Sequence, residues 1–331
     1  MRILIADAFP DHAVTALRRD GHQVAYQPDT TADTLPDTAR GHDAVVVRST
    51  RVTADTIATA SGLRLVIRAG SGTNTIDCEA AAGRGIAVCN VPGRNAVAVA
   101  ELAFALLLAL DRNVPDSVAD LRAGRWDKKR YATARGILGR RIGVVGLGQI
   151  GLAFAERATA FGAHVYAVAK PGRSQHLLDR ARAAGISFVD RIEALADTCD
   201  VLSFHVPATA DTRRLVGREL LARVRPGTFV LNTSRGDVVD EDALIEAMDT
   251  KGVRAGLDVF DGEPGQSTGT IDSPLARHPN VYGTHHIGAS TEQAQHAIAD
   301  EVVHMIQEYE RGRLLHRVTP DTASLQYAGR S

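Results

Sequence analysis

Short, nearly continuous apolar runs alternate along the first ninety residues with stretches whose apolar positions recur every three or four residues. Residues 2–6, 23–26, 44–47, 65–67 and 86–88 read as strands. Residues 11–19, 31–39, 53–60 and 77–82 read as helices that open on small polar residues. Unbroken apolar strands with helical connections predict a parallel sheet covered on both faces. Residues 95–110 then form one long, almost wholly apolar helix, the signature of a core or a subunit contact.

A second series of the same kind follows. Strands are expected at 141–145, 164–168, 186–188, 201–204, 228–231, near 253–257 and at 281–282. Helices are expected at 149–161, 174–184, 191–196, 218–223 and 241–249. A last helix over 291–310 is long enough to return to the first unit. The fold class is therefore α/β, with two doubly wound parallel-sheet (Rossmann/flavodoxin-like) domains joined by two long helices. The polar tail from Thr319 is expected to be loosely held.

Composition narrows the function classes. Across 331 residues, 38 Lys and Arg balance 39 Asp and Glu, a formal charge of −1, which argues against nucleic acid or an anionic membrane as partner. Cys78, Cys89 and Cys199 form no CxxC pair, so no disulfide framework or cysteine metal site is expected. The apolar run at the amino terminus is too short for a signal peptide, and residues 96–110 carry Glu101 and fall short of the ~20 residues that span a bilayer. A cytoplasmic protein is expected.

The strand at 141–145 runs into Gly146-Leu147-Gly148-Gln149-Ile150-Gly151, and a helix follows at once. In that setting GxGxxG signifies a dinucleotide site. Gly146 permits the turn, Gly148 admits the diphosphate to backbone N–H groups, and Gly151 lets the helix close on the sheet. The acid that normally receives the ribose hydroxyls at the end of the next strand is missing. Ala169, Lys170 and Arg173 follow that strand instead. Two cations in place of a carboxylate predict NADP(H), or relaxed choice between NADP and NAD. The competing reading leaves both cations solvated in the loop.

Three later strands end in residues suited to one reaction: Arg235 after Thr233-Ser234, Glu263 beyond Asp258, and His285-His286. Reduction of a 2-oxo acid needs a cation for the carboxylate, a proton donor at the carbonyl, and a group that keeps the donor protonated. Arg235 suits the first role as a bidentate fork. A histidine suits the second because imidazole titrates near neutrality, and Glu263 suits the third.

With these residues in place the chain resembles the D-isomer-specific 2-hydroxyacid dehydrogenases, most closely their phosphoglycerate-dehydrogenase-like branch. The segments that carry the likeness include VVVRST (45–50), VIRAGSGTNTID (66–77), GRWDKKR (124–130), NTSRGDVVDEDAL (232–244), AGLDVFDGEP (255–264) and HIGASTEQAQ (286–295). The resemblance implies that Arg235 binds the carboxylate and carbonyl and that His286 is the acid/base supported by Glu263. It places Ser71, Gln149, Ile150, Val206, Thr233, Ser234, Asp258 and Ala289 around the cofactor. Backbone groups of Ser71 and Gly72 would meet the substrate. It also implies a discontinuous substrate-binding domain (1–95 plus 288–331), a cofactor domain (96–287), and a homodimer formed through the apolar helix.

Departures from the family pattern are local. Thr73, Asn74 and Thr75 change polarity beside the substrate loop, Arg94 replaces a small residue, and His285 stands where proline is common. Arg48, Arg94 and Arg130 are candidates for a second anion on the substrate, such as a phosphate, phosphonate or carboxylate. No regulatory domain is expected beyond the last helix. The predicted activity is hydride transfer between NAD(P)H and a 2-oxo acid or D-2-hydroxy acid. The alternative is a nucleotide-sensing, corepressor-like binding protein of the same fold.

Overall fold

The structure is a computed structural model describing residues 1–264 and 268–320. It divides into two compact units. The first takes residues 1–95 and 290–320, with Pro264, Thr268 and Gly269; the second takes residues 96–263 and the rest of the stretch to Ala289.

The first unit is built from β1 (Arg2–Ile5), α1 (Asp11–Arg19), β2 (Gln23–Tyr26), α2 (Leu35–Thr38), β3 (Ala44–Val47), α3 (Ala54–Thr59), β4 (Leu65–Arg68), α4 (Cys78–Gly83) and β5 (Ala87–Asn90). The five strands pair in parallel in the order β2-β1-β3-β4-β5. Their alternate side chains fill two cores. Ile3, Ile5, Val46 and Ile67 face one side, and Leu4, Val45, Val47 and Val66 face the other.

The second unit contains α5 (Ala96–Arg112), α6 (Val114–Arg122), β6 (Arg141–Val145), α7 (Gln149–Ala160), β7 (His164–Val168), α8 (Gln175–Ala183), β8 (Ser187–Val189), α9 (Ile192–Thr198), β9 (Val201–Phe204), α10 (Arg218–Arg223), β10 (Phe229–Asn232), α11 (Glu241–Lys251), β11 (Arg254–Leu257) and β12 (Val281–Gly283). All seven strands are parallel, in the order β12-β11-β10-β9-β6-β7-β8. Chain progression reverses between β6 and β9, the switch point where open α/β sheets bind ligands. The chain then passes back to the first unit, where α12 (Glu292–Glu310) packs Ile298, Val302 and Ile306 into its core.

One local finding bears out the core reading of the apolar helix, and two others depart from the sequence expectations. The apolar helix α5 serves mainly its own unit, with Ala103, Phe104, Leu107 and Leu110 packed around Phe154 and Leu231. A further helix, α6, follows it after a left-handed break at Asn113 (φ 51°), and its Val114, Val118 and Leu121 are exposed. Contrary to expectation, the chain is not loosely held at Thr319. That residue is buried, and its hydroxyl accepts the N–H of Val88 while Arg317 bridges Cys89 across the edge of β5. The remainder of that tail lies outside the described residues.

Candidate active site

Gly146 makes its turn with φ at +95°, and a Cβ there would stand 2.4 Å from the carbonyl oxygen of His205. Val206 lies against the same point, so the turn after β6 and the loop after β9 meet at the switch point. A Cβ on Gly151 would fall 2.1 Å from the Gly146 carbonyl, whereas Gly148 faces open space. Helix α7 begins at Gln149 and Ile150 with no side chain capping its amino end. Its first N–H groups are thus available to a diphosphate. On the loop after β10, the buried Thr233 hydroxyl has no hydrogen-bond partner among the described residues, as a side chain awaiting a ligand would. The turn, the uncapped helix and this hydroxyl fit a dinucleotide.

Lys170 and Arg173 follow β7. Lys170 is exposed, and the Arg173 guanidinium lies 5.7 Å from the centre of the Phe188 ring. No carboxylate occupies the end of that strand, where Ala169 and Lys170 stand.

The candidate reacting groups lie beyond the carboxyl ends of β10, β11 and β12. Asn232, fully buried at the end of β10, accepts the N–H and the hydroxyl of Ser234 on Oδ1. It donates from Nδ2 to the Arg235 carbonyl at 2.8 Å. That bracing holds the Thr233-Ser234-Arg235 loop and leaves Arg235 half-buried. Burial depresses the affinity of its guanidinium for the proton, while Glu263 and Asp237 act in the opposite sense; a guanidinium stays charged regardless. Gly236 then touches the next loop directly, because a Cβ on it would lie 2.2 Å from the Phe260 carbonyl group.

Asp258, 1% exposed, organises the loop after β12. Its Oδ1 accepts the Thr284 hydroxyl and the Ile287 N–H, and its Oδ2 accepts the Gly288 N–H. These bonds hold His286 in the left-handed region at φ 52°, a costly conformation for a non-glycine residue and one that clusters at functional sites. His286 Nδ1 lies 2.6 Å from Glu263 Oε2, while Glu263 Oε1 accepts the Phe260 N–H. Burial works to raise the Glu263 pKa. The hydrogen bond and charge of His286, the Phe260 N–H and the Arg235 charge outweigh it and hold the carboxyl below its usual value. An ionised Glu263 can only accept, so Nδ1 carries the shared proton and Nε2 is left for chemistry.

In the first unit the predicted substrate residues follow consecutive strands. Asn90 Nδ2 donates to the Ser71 carbonyl at 2.6 Å, and the Ser71 hydroxyl donates to Asn95 Oδ1, fixing the loop that carries Gly72. Arg48 donates from its backbone to Asp7 and from Nη2 to the Ser290 hydroxyl at 3.1 Å. Arg94 donates from Nε and Nη2 to the buried Glu301. In the second unit Arg130 is tied to Asp120 on α6. Two of the three arginines considered for a second anion are therefore ion-paired to a carboxylate, and Arg48 feels the charge of Asp7.

The family described as "D-isomer specific 2-hydroxyacid dehydrogenase, NAD binding domain" matches residues 104–288. The hydroxypyruvate reductase of Thermotoga maritima is 40% identical over 266 residues, 80% of this chain and 83% of that protein. The crystal structure of the TT0316 protein from Thermus thermophilus superposes with a TM-score of 0.84 at 32% identity, covering 96% of this chain and all of that one. The chain belongs to the D-isomer specific 2-hydroxyacid dehydrogenase family, in its phosphoglycerate-dehydrogenase-like branch. The D-3-phosphoglycerate dehydrogenase of Methanocaldococcus jannaschii is 38% identical over 321 residues. The alignment takes in 96% of this chain but 59% of that relative's length.

For a member of this family the sequence reading overlooked three supporting residues. Asn232 and Thr284 orient the Arg235 and His286 loops, and each stands at or just past a strand end, where a short polar residue in an apolar run is the available signal. The third, His205, is half-buried, with its backbone carbonyl against Gly146 and Nε2 within hydrogen-bond distance of the Ser203 hydroxyl, and desolvation of the ring pushes its pKa down to about 3.

Proposed function

We propose that this dehydrogenase-family protein interconverts a 2-oxo acid and the corresponding D-2-hydroxy acid with NAD(P)(H). The observation that carries the reading is the 2.6 Å contact between His286 Nδ1 and Glu263 Oε2, with Arg235 close enough to bias the same carboxylate. A nicotinamide dinucleotide, when bound, supplies or accepts the hydride. Arg235 grips the substrate carboxylate with its fork and stabilises charge on the carbonyl oxygen. His286 gives its Nε2 proton to that oxygen during reduction and takes it back during oxidation. Glu263 and Asp258 keep the imidazole aimed. The reducing direction needs the cationic ring, so its rate falls as pH rises; oxidation has the opposite trend.

Gly146, Gly148, Gln149, Ile150, Gly151, Val206, Thr233, Ser234 and Ala289 are the proposed cofactor residues, with Asp258 beside them. The absent carboxylate after β7, with Lys170 and Arg173 in that loop, supports NADP(H) as the preferred form. Residues 1–95 and 290–320 are proposed to present the substrate through Ser71, Gly72 and Arg48. Arg48 is the arginine best placed for a second anion, because Arg94 and Arg130 are ion-paired to Glu301 and Asp120.

The exposed apolar residues of α6, together with Trp126 at 82% exposure, support a homodimer. Light scattering on the purified protein tests it. The activity is tested by following oxidation of NADPH and NADH with 2-oxo acids that carry or lack a distal anion. Turnover with NADPH exceeding that with NADH, and a preference for the second anion, is expected; inert protein with every acid and both cofactors refutes the reading.

A further inference from the structure

At the end of the seven-stranded sheet away from the Gly146 turn, the loops entering β6, β9 and β10 frame a cavity of about 370 Å³. Arg135, Arg140, Asp200, Arg225, Thr228 and Phe229 are among its walls. Arg140 is 5% exposed, bonded to Asp111 and to the Gly136 carbonyl, with its guanidinium 4.7 Å from the Phe229 ring centre. Asp200 receives Arg135 Nη1 at 2.8 Å, Arg225 Nη2 at 2.6 Å and the Arg141 N–H at 2.9 Å. Burial opposes ionisation of Asp200, but these donors hold its carboxyl below the usual range.

The charges do not balance. Three guanidinium groups share two carboxylates, Asp111 and Asp200, which leaves one positive charge over. Arg135 and Arg225 commit only part of their five-donor forks, to Asp200 and, from Arg225, also to the Thr198 carbonyl, and their side chains remain 59% and 45% exposed. Two forks with donors to spare beside an excess charge are the chemistry that receives a tetrahedral oxyanion. The reaction centre lies elsewhere: β10 runs from Phe229 at the cavity to Asn232 under the Arg235 loop, roughly 10 Å at about 3.3 Å per residue.

We propose that this cavity binds the dianionic phosphate group of a small metabolite, at a site separate from the reaction centre. A bare phosphate engages the two forks, and the remaining volume accommodates the organic part of the ligand. The inference stands whether or not the proposed reaction is correct, since none of its residues takes part in that reaction.

Uptake of inorganic phosphate, measured by equilibrium dialysis at constant ionic strength, tests it. The 331-residue chain carries Arg48→Gln and Arg235→Gln and is held in excess NADPH, so that the reaction centre, its proposed second-anion subsite and the dinucleotide turn contribute little. Saturable binding of one phosphate per chain is expected. Adding Arg135→Gln and Arg225→Gln should weaken it at least tenfold. Those changes also strip Asp200 of partners, so Pro226→Glu provides a second arm, placing a carboxylate on the exposed lip of the cavity. It should weaken phosphate at least tenfold while the thermal midpoint stays unchanged. Absence of saturable uptake by the parent chain, or uptake undiminished by Pro226→Glu, overturns the proposal.

Discussion

In the proposed reaction Glu263 acts through charge, and its neighbours make that testable. The carboxyl is held ionised by His286 and by the Phe260 N–H, so it remains an acceptor well into the acid range. Glu263→Gln keeps the shape and removes the charge that favours imidazolium. The pH above which reduction declines should therefore move downward, with a lower kcat at neutral pH; an unchanged pH–rate profile would show that Glu263 has no part in protonating the ring. Gly236→Ala probes position instead of charge. With the Phe260 carbonyl group 2.2 Å from the added Cβ, the Arg235 and Glu263 loops must separate. A fall in kcat of at least tenfold is expected, since small displacements of positioning groups are costly; wild-type kinetics would count against the contact. The positions of Arg235, Glu263 and His286 beyond strand ends were legible from the sequence because each follows an apolar run; their part in the reaction is the proposal. The left-handed backbone of His286 was not, because it is imposed by Asp258 from 28 residues earlier in the chain. Nor was the engagement of Arg94 by Glu301, which joins residues 207 apart.

Among the elements, the parallel strands were the most readable, since burial on both faces demands uninterrupted apolar runs such as Ala44–Val47. Helix α6 is different: its Val114, Val118 and Leu121 recur at helical spacing, but the structure turns that stripe outward instead of into the core of its unit. Helix starts carry their own signal. Thr291 caps α12 by accepting the Ala294 N–H on its hydroxyl. Thr291→Ala should cost about 1 kcal/mol in chemical denaturation, and a variant of unaltered midpoint would mean that the cap contributes nothing.

The molecule as a whole should be labile to acid. Glu308 is drawn down to about 2 by hydrogen bonds from Arg313 and Arg311, against an ordinary value of 4.5. Glu301 is also lowered, as Arg94 and His316 outweigh its burial. Carboxyls depressed on folding stabilise the native state above their unfolded values, and that contribution disappears as pH falls through the folded ones. Thermal midpoints should fall between about pH 5 and pH 2, and Glu308→Gln should make that fall shallower. Parallel curves for the two proteins would remove Glu308 from the explanation. The account rests finally on the imidazole of His286 as the group that moves the proton. Its most direct test is the rate of reduced-nicotinamide oxidation by His286→Ala with the best 2-oxo acid, alongside cofactor binding measured by fluorescence. A loss in kcat on the order of 10²–10⁴-fold, with cofactor affinity preserved, is predicted; turnover equal to that of the unaltered protein would contradict it.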